Sequence, residues 1–361
     1  MDYDLKIAGG TLIDGTGRPG VRGDVGIRDG RLVALGEAKG AARRTIDAGG
    51  LAVAPGFIDV HTHYDAQVLW DRRMTISPWH GVTTVVMGNC GFGIAPTRPE
   101  HRGLLMRTLE KVEGMSLAVL EEGLGYEWPF ETFPEYLSTI EARGVLVNAG
   151  VMIGHTPLRF YVMGEEATER AATPDELRRM RALVREAIEA GAIGFATSKA
   201  ISHIGAGGKP VPSRAADFDE VKTLAGALAD AGRGIVQATV GRELFLDEFE
   251  ALTRATGRPV TWTALLSGMA GFAGPATHHA ILARSRPPDY RSFLKSRAAP
   301  SISNSSSASR SSSSRCRSSR PCQRRTSKAS VGSTPTRSSG AHSVSWVSAR
   351  RGESRRSGIG P

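Results

Sequence analysis

The sequence predicts the α/β class: a (β/α)8 TIM-type barrel, here incomplete with about six strands, preceded by a small β module. Three observations predict it. Residues 1–54 alternate apolar and polar residues in short runs. From residue 56 onward, six short apolar runs lack strict alternation, as strands buried on both faces do. Helical segments lie between several of those runs, and repeated strand–helix units imply a parallel sheet.

In the module, "DLKIAGGTLID" and "GDVGIRDGRLVALG" carry the alternation, and Asp29-Gly30 falls between two alternating runs. That dipeptide supplies the positive φ angles of a tight hairpin turn. The six barrel runs are "GFIDVHTH" (56–63), "GVTTVVMG" (81–88), "GVLVNAGVMIGH" (144–155), "GAIGFATS" (191–198), "GIVQATV" (234–240) and "PVTWTALL" (259–266). A closed eight-stranded barrel needs two more. The clearest helix is "TPDELRRMRALVREAIEAG". Thr173 caps it, Pro174 fits its first position, Glu176 completes a capping box and Gly191 ends it. "DFDEVKTLAGALADAG" repeats the design with Asp217, Glu220 and Gly232.

The chain has 361 residues and a formal net charge of +10, but the charge is not evenly spread. Residues 301–361 hold eleven Arg, one Lys and one Glu, or +11, so the first 300 residues come to −1. A nearly neutral body does not read as a nucleic-acid binder. Cys90 is the body's single cysteine, which argues against a disulfide framework and fits a reducing, cytoplasmic compartment. No signal peptide or membrane-length apolar run is expected. The expected organisation is a β module over 1–54, a partial barrel over 55–285 and a tail over 286–361. Residues 301–361 contain 22 Ser and cannot bury enough apolar surface to fold. The tail reads either as out-of-frame translation of a GC-rich gene, the favoured reading, or as a basic segment that binds RNA or another acidic partner.

His61 and His63 close the first barrel run. Residues i and i+2 of a strand face one way, so both imidazoles point to one side. They sit at a strand's C-terminal end, where barrel active sites are built. Neutral imidazole suits zinc and similar metals, and thiolate from Cys90, just past the next run, is a strong zinc ligand. Gly88, Gly91 and Gly93 around Cys90 suggest a tight loop.

A β module, then "PGFIDVHTHYD", then "GVTTVVMGNCGFGIAP", resembles the amidohydrolase superfamily, in particular its N-acyl-D-amino-acid deacylase branch. The resemblance covers about residues 3–284. It implies a metal-bearing barrel, a small β-sandwich formed by both chain ends, and hydrolysis of N-acylated D-amino acids, with zinc as one or two divalent ions. It implies metal ligation by His61, His63 and Cys90. "GHTPLR" resembles a third-strand motif that makes His155 and Arg159 candidates for the substrate pocket, with Arg159 free to pair with a substrate carboxylate.

Departures from the pattern are equally specific. Two further ligand histidines are implied on the fifth and sixth strands, yet Val240 stands near one position and "TWTALLSG" has none. His278 and His279 follow later, out of register. The eighth-strand catalytic aspartate of the family has no counterpart here. These departures point to a weaker or single-metal site with little deacylase activity. Two alternatives stay open. One is a non-catalytic metal-binding remnant or scaffold. The other is a dihydropyrimidinase-like enzyme using a carboxylated Lys199, although Lys199 reads better as a solvated loop residue.

Overall fold

The structure, a computed structural model, describes residues 1–263. The expectations placed on the tail and on His278 and His279 lie outside the described residues.

The N-terminal strands are β1 (Tyr3–Leu12), β2 (Val21–Arg28), β3 (Arg31–Gly36), β4 (Ala42–Asp47) and β5 (Ala52–Val53). They form one mixed sheet in the order β3-β2-β1-β4, with β5 also on β1. The β2–β3 hairpin turns at Asp29-Gly30, with φ of 51° and 68°, as that dipeptide requires.

The second sheet holds β6 (Phe57–Asp59), β7 (Val82–Met87), β8 (Asn148–Gly154), β9 (Gly194–Ser198), β10 (Ile235–Thr239) and β11 (Val260–Thr263). All neighbours are parallel and in chain order. Helices α1 (Arg102–Glu113), α2 (Leu117–Leu124) and α3 (Phe133–Arg143) lie between β7 and β8. They are followed by α4 (His155–Met163) and α5 (Pro174–Ala190), then α6 (Phe218–Asp230) and α7 (Leu246–Thr256), each returning the chain to the next strand. The capping box of α5 forms as expected from Thr173 and Glu176.

The sheet is curled into half a barrel. Strands lie about 4.8 Å apart, so β7 and β10 would be about 14 Å apart in a flat sheet. Yet the Cys90 amide, just past β7, donates to Gln237 Oε1 on β10 at 2.7 Å. The curl brings the C-terminal ends of β6, β7, β10 and β11 around one space. On the opposite face of the sheet, Phe195, Val236, Ala238, Val260 and Trp262 are fully buried, with Trp262 packed on Phe249 of α7.

Candidate metal centre

His61 and His63 lie just beyond β6 rather than within it. Thr62, between them, is pinned to β7. Its amide and its hydroxyl both donate to the Val86 carbonyl, at 3.0 and 2.7 Å. That anchor extends the strand-like register and leaves both imidazoles on one side, with ring centroids 5.2 Å apart.

Cys90 adopts φ 57°, a left-handed conformation that costs a non-glycine residue about 1–2 kcal/mol. The surrounding loop leaves no alternative. A Cβ on Gly88 would stand 2.1 Å from the Met152 carbonyl oxygen, and one on Gly91 2.8 Å from Thr197 Cα. Two glycines therefore press the loop against β8 and β9, and Gln237 holds it from the far side. The loop is tight, as its glycines suggest, and Cys90 is also buried.

These devices bring the three donors together. Cys90 Sγ lies 3.3 Å from His61 Nε2 and 3.9 Å from His63 Nε2, and all three donor atoms lie within 4.8 Å of one another. Zinc–nitrogen and zinc–sulfur bond lengths place tetrahedral ligands about 3.5 Å apart, so the set fits one zinc ion with a fourth position left over. Burial, then the neighbouring His61 and His203, lowers the His63 pKa to about 3 and keeps its ring neutral. Burial pushes the Cys90 thiol up to about 12. A bound cation reverses that second effect, because a coordinating thiol is deprotonated outright.

Acid groups back the cluster. Glu113, at the end of α1, places Oε1 3.4 Å from His63 Nδ1. Burial, then the charge of Asp65, raises Glu113 to about 8, and burial raises Asp65 to about 7. Thr239 and Thr263, at the described ends of β10 and β11, place their hydroxyls 3.4 Å apart and act to lower the Cys90 pKa against burial. Val240 packs against the core. The described ends of the fifth and sixth barrel strands thus offer hydroxyls where the resemblance implies imidazoles.

Sequence reasoning missed Glu113, Gln237, Thr239, Thr263 and His203. The His203 ring lies 5.0 Å from Phe92, which is itself 6.2 Å from His63. One signal could have found Glu113. Leu105, Met106 and Leu109 mark the buried stripe of α1, and position 113 continues it four residues on.

His155 and Arg159 are not presented to a substrate in this structure. Both are fully buried. Arg159 Nη1 contacts both carboxylate oxygens of Glu220 at 2.5 and 2.6 Å, while Nε and Nη2 donate to the carbonyls of Ala167 and Arg170. His155 bonds Glu220 through Nε2 and Thr197 through Nδ1, each at 2.8 Å. Burial lowers the pKa of His155, so the neutral ring donates from Nε2 to Glu220 and accepts from Thr197. In this structure the Arg159 charge is met inside the protein by Glu220. Glu220, which was expected to close a capping box on α6, is a correction. Its amide is capped by Asp217, but its side chain turns inward to Arg159 and His155.

Lys199 is a further correction. It is buried rather than solvated, and Nζ donates to the carbonyls of Ala216 and Arg214. Its ammonium is already held by backbone carbonyls, so the carboxylated-lysine, dihydropyrimidinase-like alternative is less supported than the deacylase reading.

Residues 44–293 match the amidohydrolase family, and the chain belongs to it. Its relatives include deacylases. The D-aminoacylase of Alcaligenes xylosoxydans xylosoxydans is 45% identical over 196 residues, 54% of this chain and 37% of that protein. The N-acyl-D-glutamate deacylase of the same organism is 35% identical over 261 residues, 70% of this chain and 48% of that protein. Among solved structures, the N-acyl-D-glutamate deacylase from Bordetella bronchiseptica, complexed with zinc and a phosphonate inhibitor that mimics the tetrahedral intermediate, matches with TM-score 0.63 and 32% identity. That match covers 79% of this chain and 56% of that one. The chain thus spans about half or less of the length of these relatives. Among the described residues, no helix is long and apolar enough to cross a membrane.

Proposed function

We propose that this chain carries the metal-binding part of a hydrolase for linear amide bonds, acting on N-acyl amino acids in the manner of a D-amino-acid deacylase, with impaired turnover in this chain. One observation carries the reading: His61, His63 and Cys90 converge at the C-terminal end of a parallel half-barrel, with two nitrogens and one sulfur at zinc-compatible spacing. Similarity to deacylases supplies the substrate class. Zinc is the ion named with the Bordetella bronchiseptica structure, and this donor set suits it.

His61 Nε2, His63 Nε2 and Cys90 Sγ would hold the ion. Bound there, zinc supplies Lewis acidity toward an amide carbonyl and toward the attacking water. The chain's own contribution is to keep the His63 imidazole neutral and to fix a free, buried thiol in a strained turn, which suits a cytoplasmic setting. Thr239 and Thr263 are weaker ligands than imidazole. Their presence favours one ion over two and favours binding over turnover.

The test is zinc titration of the full chain, followed by release of free amine from N-acetyl-D- and N-acetyl-L-amino acids. The reading expects stoichiometric zinc binding and slow, zinc-dependent, D-selective hydrolysis. Absence of zinc binding would sink the metal site. Hydrolysis at an ordinary enzyme rate would sink the impairment, and binding without any turnover would leave a metal-binding remnant as the function.

A further inference from the structure

We propose that Glu113 is a positioning residue that fixes the tautomer of His63 and so sets the metal affinity of the site. The inference rests on the metal-site reading above. His63 Nδ1 is buried and has no hydrogen-bond partner among the described residues. The acceptor facing it is Glu113 Oε1 at 3.4 Å, slightly beyond an ordinary N–H···O bond. On the other side of the ring, Nε2 faces Cys90 Sγ. A proton on Nδ1 lets His63 donate to Glu113 and leaves the Nε2 lone pair toward the metal position. A proton on Nε2 blocks ligation, so a bound cation favours the arrangement in which ionised Glu113 accepts the Nδ1 proton.

The placement of Glu113 is costly in every other respect. It is the last residue of α1, where the helix dipole disfavours an acid. It continues the helix's buried stripe, and its side chain is only 14% exposed. Among the described residues it forms no ion pair with a lysine or arginine; its one ionic contact is His63. An acid that violates helix preference, burial and charge pairing together marks a functional constraint. A carboxylate that orients a metal-bound imidazole through its second nitrogen is such a constraint, and losing one typically costs 10–100-fold in metal affinity.

The experiment uses the full chain and its Glu113→Ala, Glu113→Gln and Glu113→Asp variants. Zinc affinity is read by calorimetric titration, the Cys90–metal bond by the thiolate-to-cobalt absorption band, and the His63 tautomer by ¹⁵N NMR of the zinc-loaded protein. We expect about 10–100-fold weaker zinc binding in Glu113→Ala. A smaller loss in Glu113→Gln and Glu113→Asp, an unchanged melting temperature of the metal-free chain and a proton on His63 Nδ1 in the unsubstituted protein complete the expectation. Zinc affinity within twofold of the unsubstituted chain in Glu113→Ala overturns the proposal. So does a His63 proton on Nε2 in the unsubstituted protein, a readout that needs no variant to fold. If the unsubstituted chain itself binds no zinc or cobalt, the metal-site reading fails first, and the two failures are distinguishable.

Discussion

Replacing Glu220 by alanine strands a buried arginine, and the structure sets the scale of the damage. Arg159 is fully buried, with Nη1 on both Glu220 oxygens and its other donors on backbone carbonyls. Removing one partner of such a pair typically costs about 3–5 kcal/mol, because a charge is left uncompensated in the interior. The Glu220 carboxyl gives an independent figure. Burial alone pushes its pKa up, but the hydrogen bond from His155 and the charges beside it more than offset that, holding it at about 2 against the usual 4.5. That depression corresponds to about 3 kcal/mol. The stabilisation from a depressed carboxyl is complete above pH 4.5 and is lost as pH falls from there toward 2. The assay is urea unfolding of the metal-free full chain, at pH 7 and stepwise from pH 5 to 3. Glu220→Ala should lose about 3–5 kcal/mol at pH 7. Glu220→Gln should lose the steep acid dependence below pH 4.5. The double variant Arg159→Met, Glu220→Leu should recover most of the loss, since an apolar pair of similar volume replaces a buried ion pair at little cost. A loss under about 1 kcal/mol for Glu220→Ala, or an unchanged acid slope in Glu220→Gln, refutes the reasoning.

Three further outcomes follow from particular contacts. Gly88→Ala, at φ 80° with a Cβ 2.1 Å from a backbone oxygen, should destabilise the chain by at least about 2 kcal/mol and weaken zinc binding, as read by urea unfolding and titration. Gln237→Leu removes the acceptor of the buried Cys90 amide. It should cost about 1–3 kcal/mol and weaken zinc binding by loosening the thiol, which unfolding and cobalt absorbance together detect. Lys199→Met should leave zinc affinity within twofold, because its ammonium is held by the Ala216 and Arg214 carbonyls; a large loss by calorimetric titration would return Lys199 to the metal site.

What the sequence disclosed was local. The Asp29-Gly30 turn, the Thr173–Glu176 capping box and the six apolar runs are set by residues within a few positions of each other, so their patterns survive in one dimension. His61 and His63 were legible from their i, i+2 spacing at the end of an apolar run, and Cys90 from the glycines that flank it. Glu220 shows where that logic stops. Asp217 and Glu220 carry the same local signature as Thr173 and Glu176, yet Glu220 turns to Arg159, 61 positions away. Which partner wins depends on how α4 and α6 pack, and spacing does not encode that. Lys199 read as a solvated loop residue because the carbonyls that bury it lie 15 and 17 positions on. Thr239 and Thr263 influence Cys90 only through the curl of the sheet.

The most direct test of the metal site is cobalt and zinc titration of the full chain beside Cys90→Ser and His61→Ala. One ion per chain should bind, with a thiolate-to-cobalt band that disappears in Cys90→Ser and a sharply weakened affinity in His61→Ala. An unchanged band in Cys90→Ser, or no stoichiometric binding by the unsubstituted chain, would contradict the convergence of His61, His63 and Cys90 on a single ion.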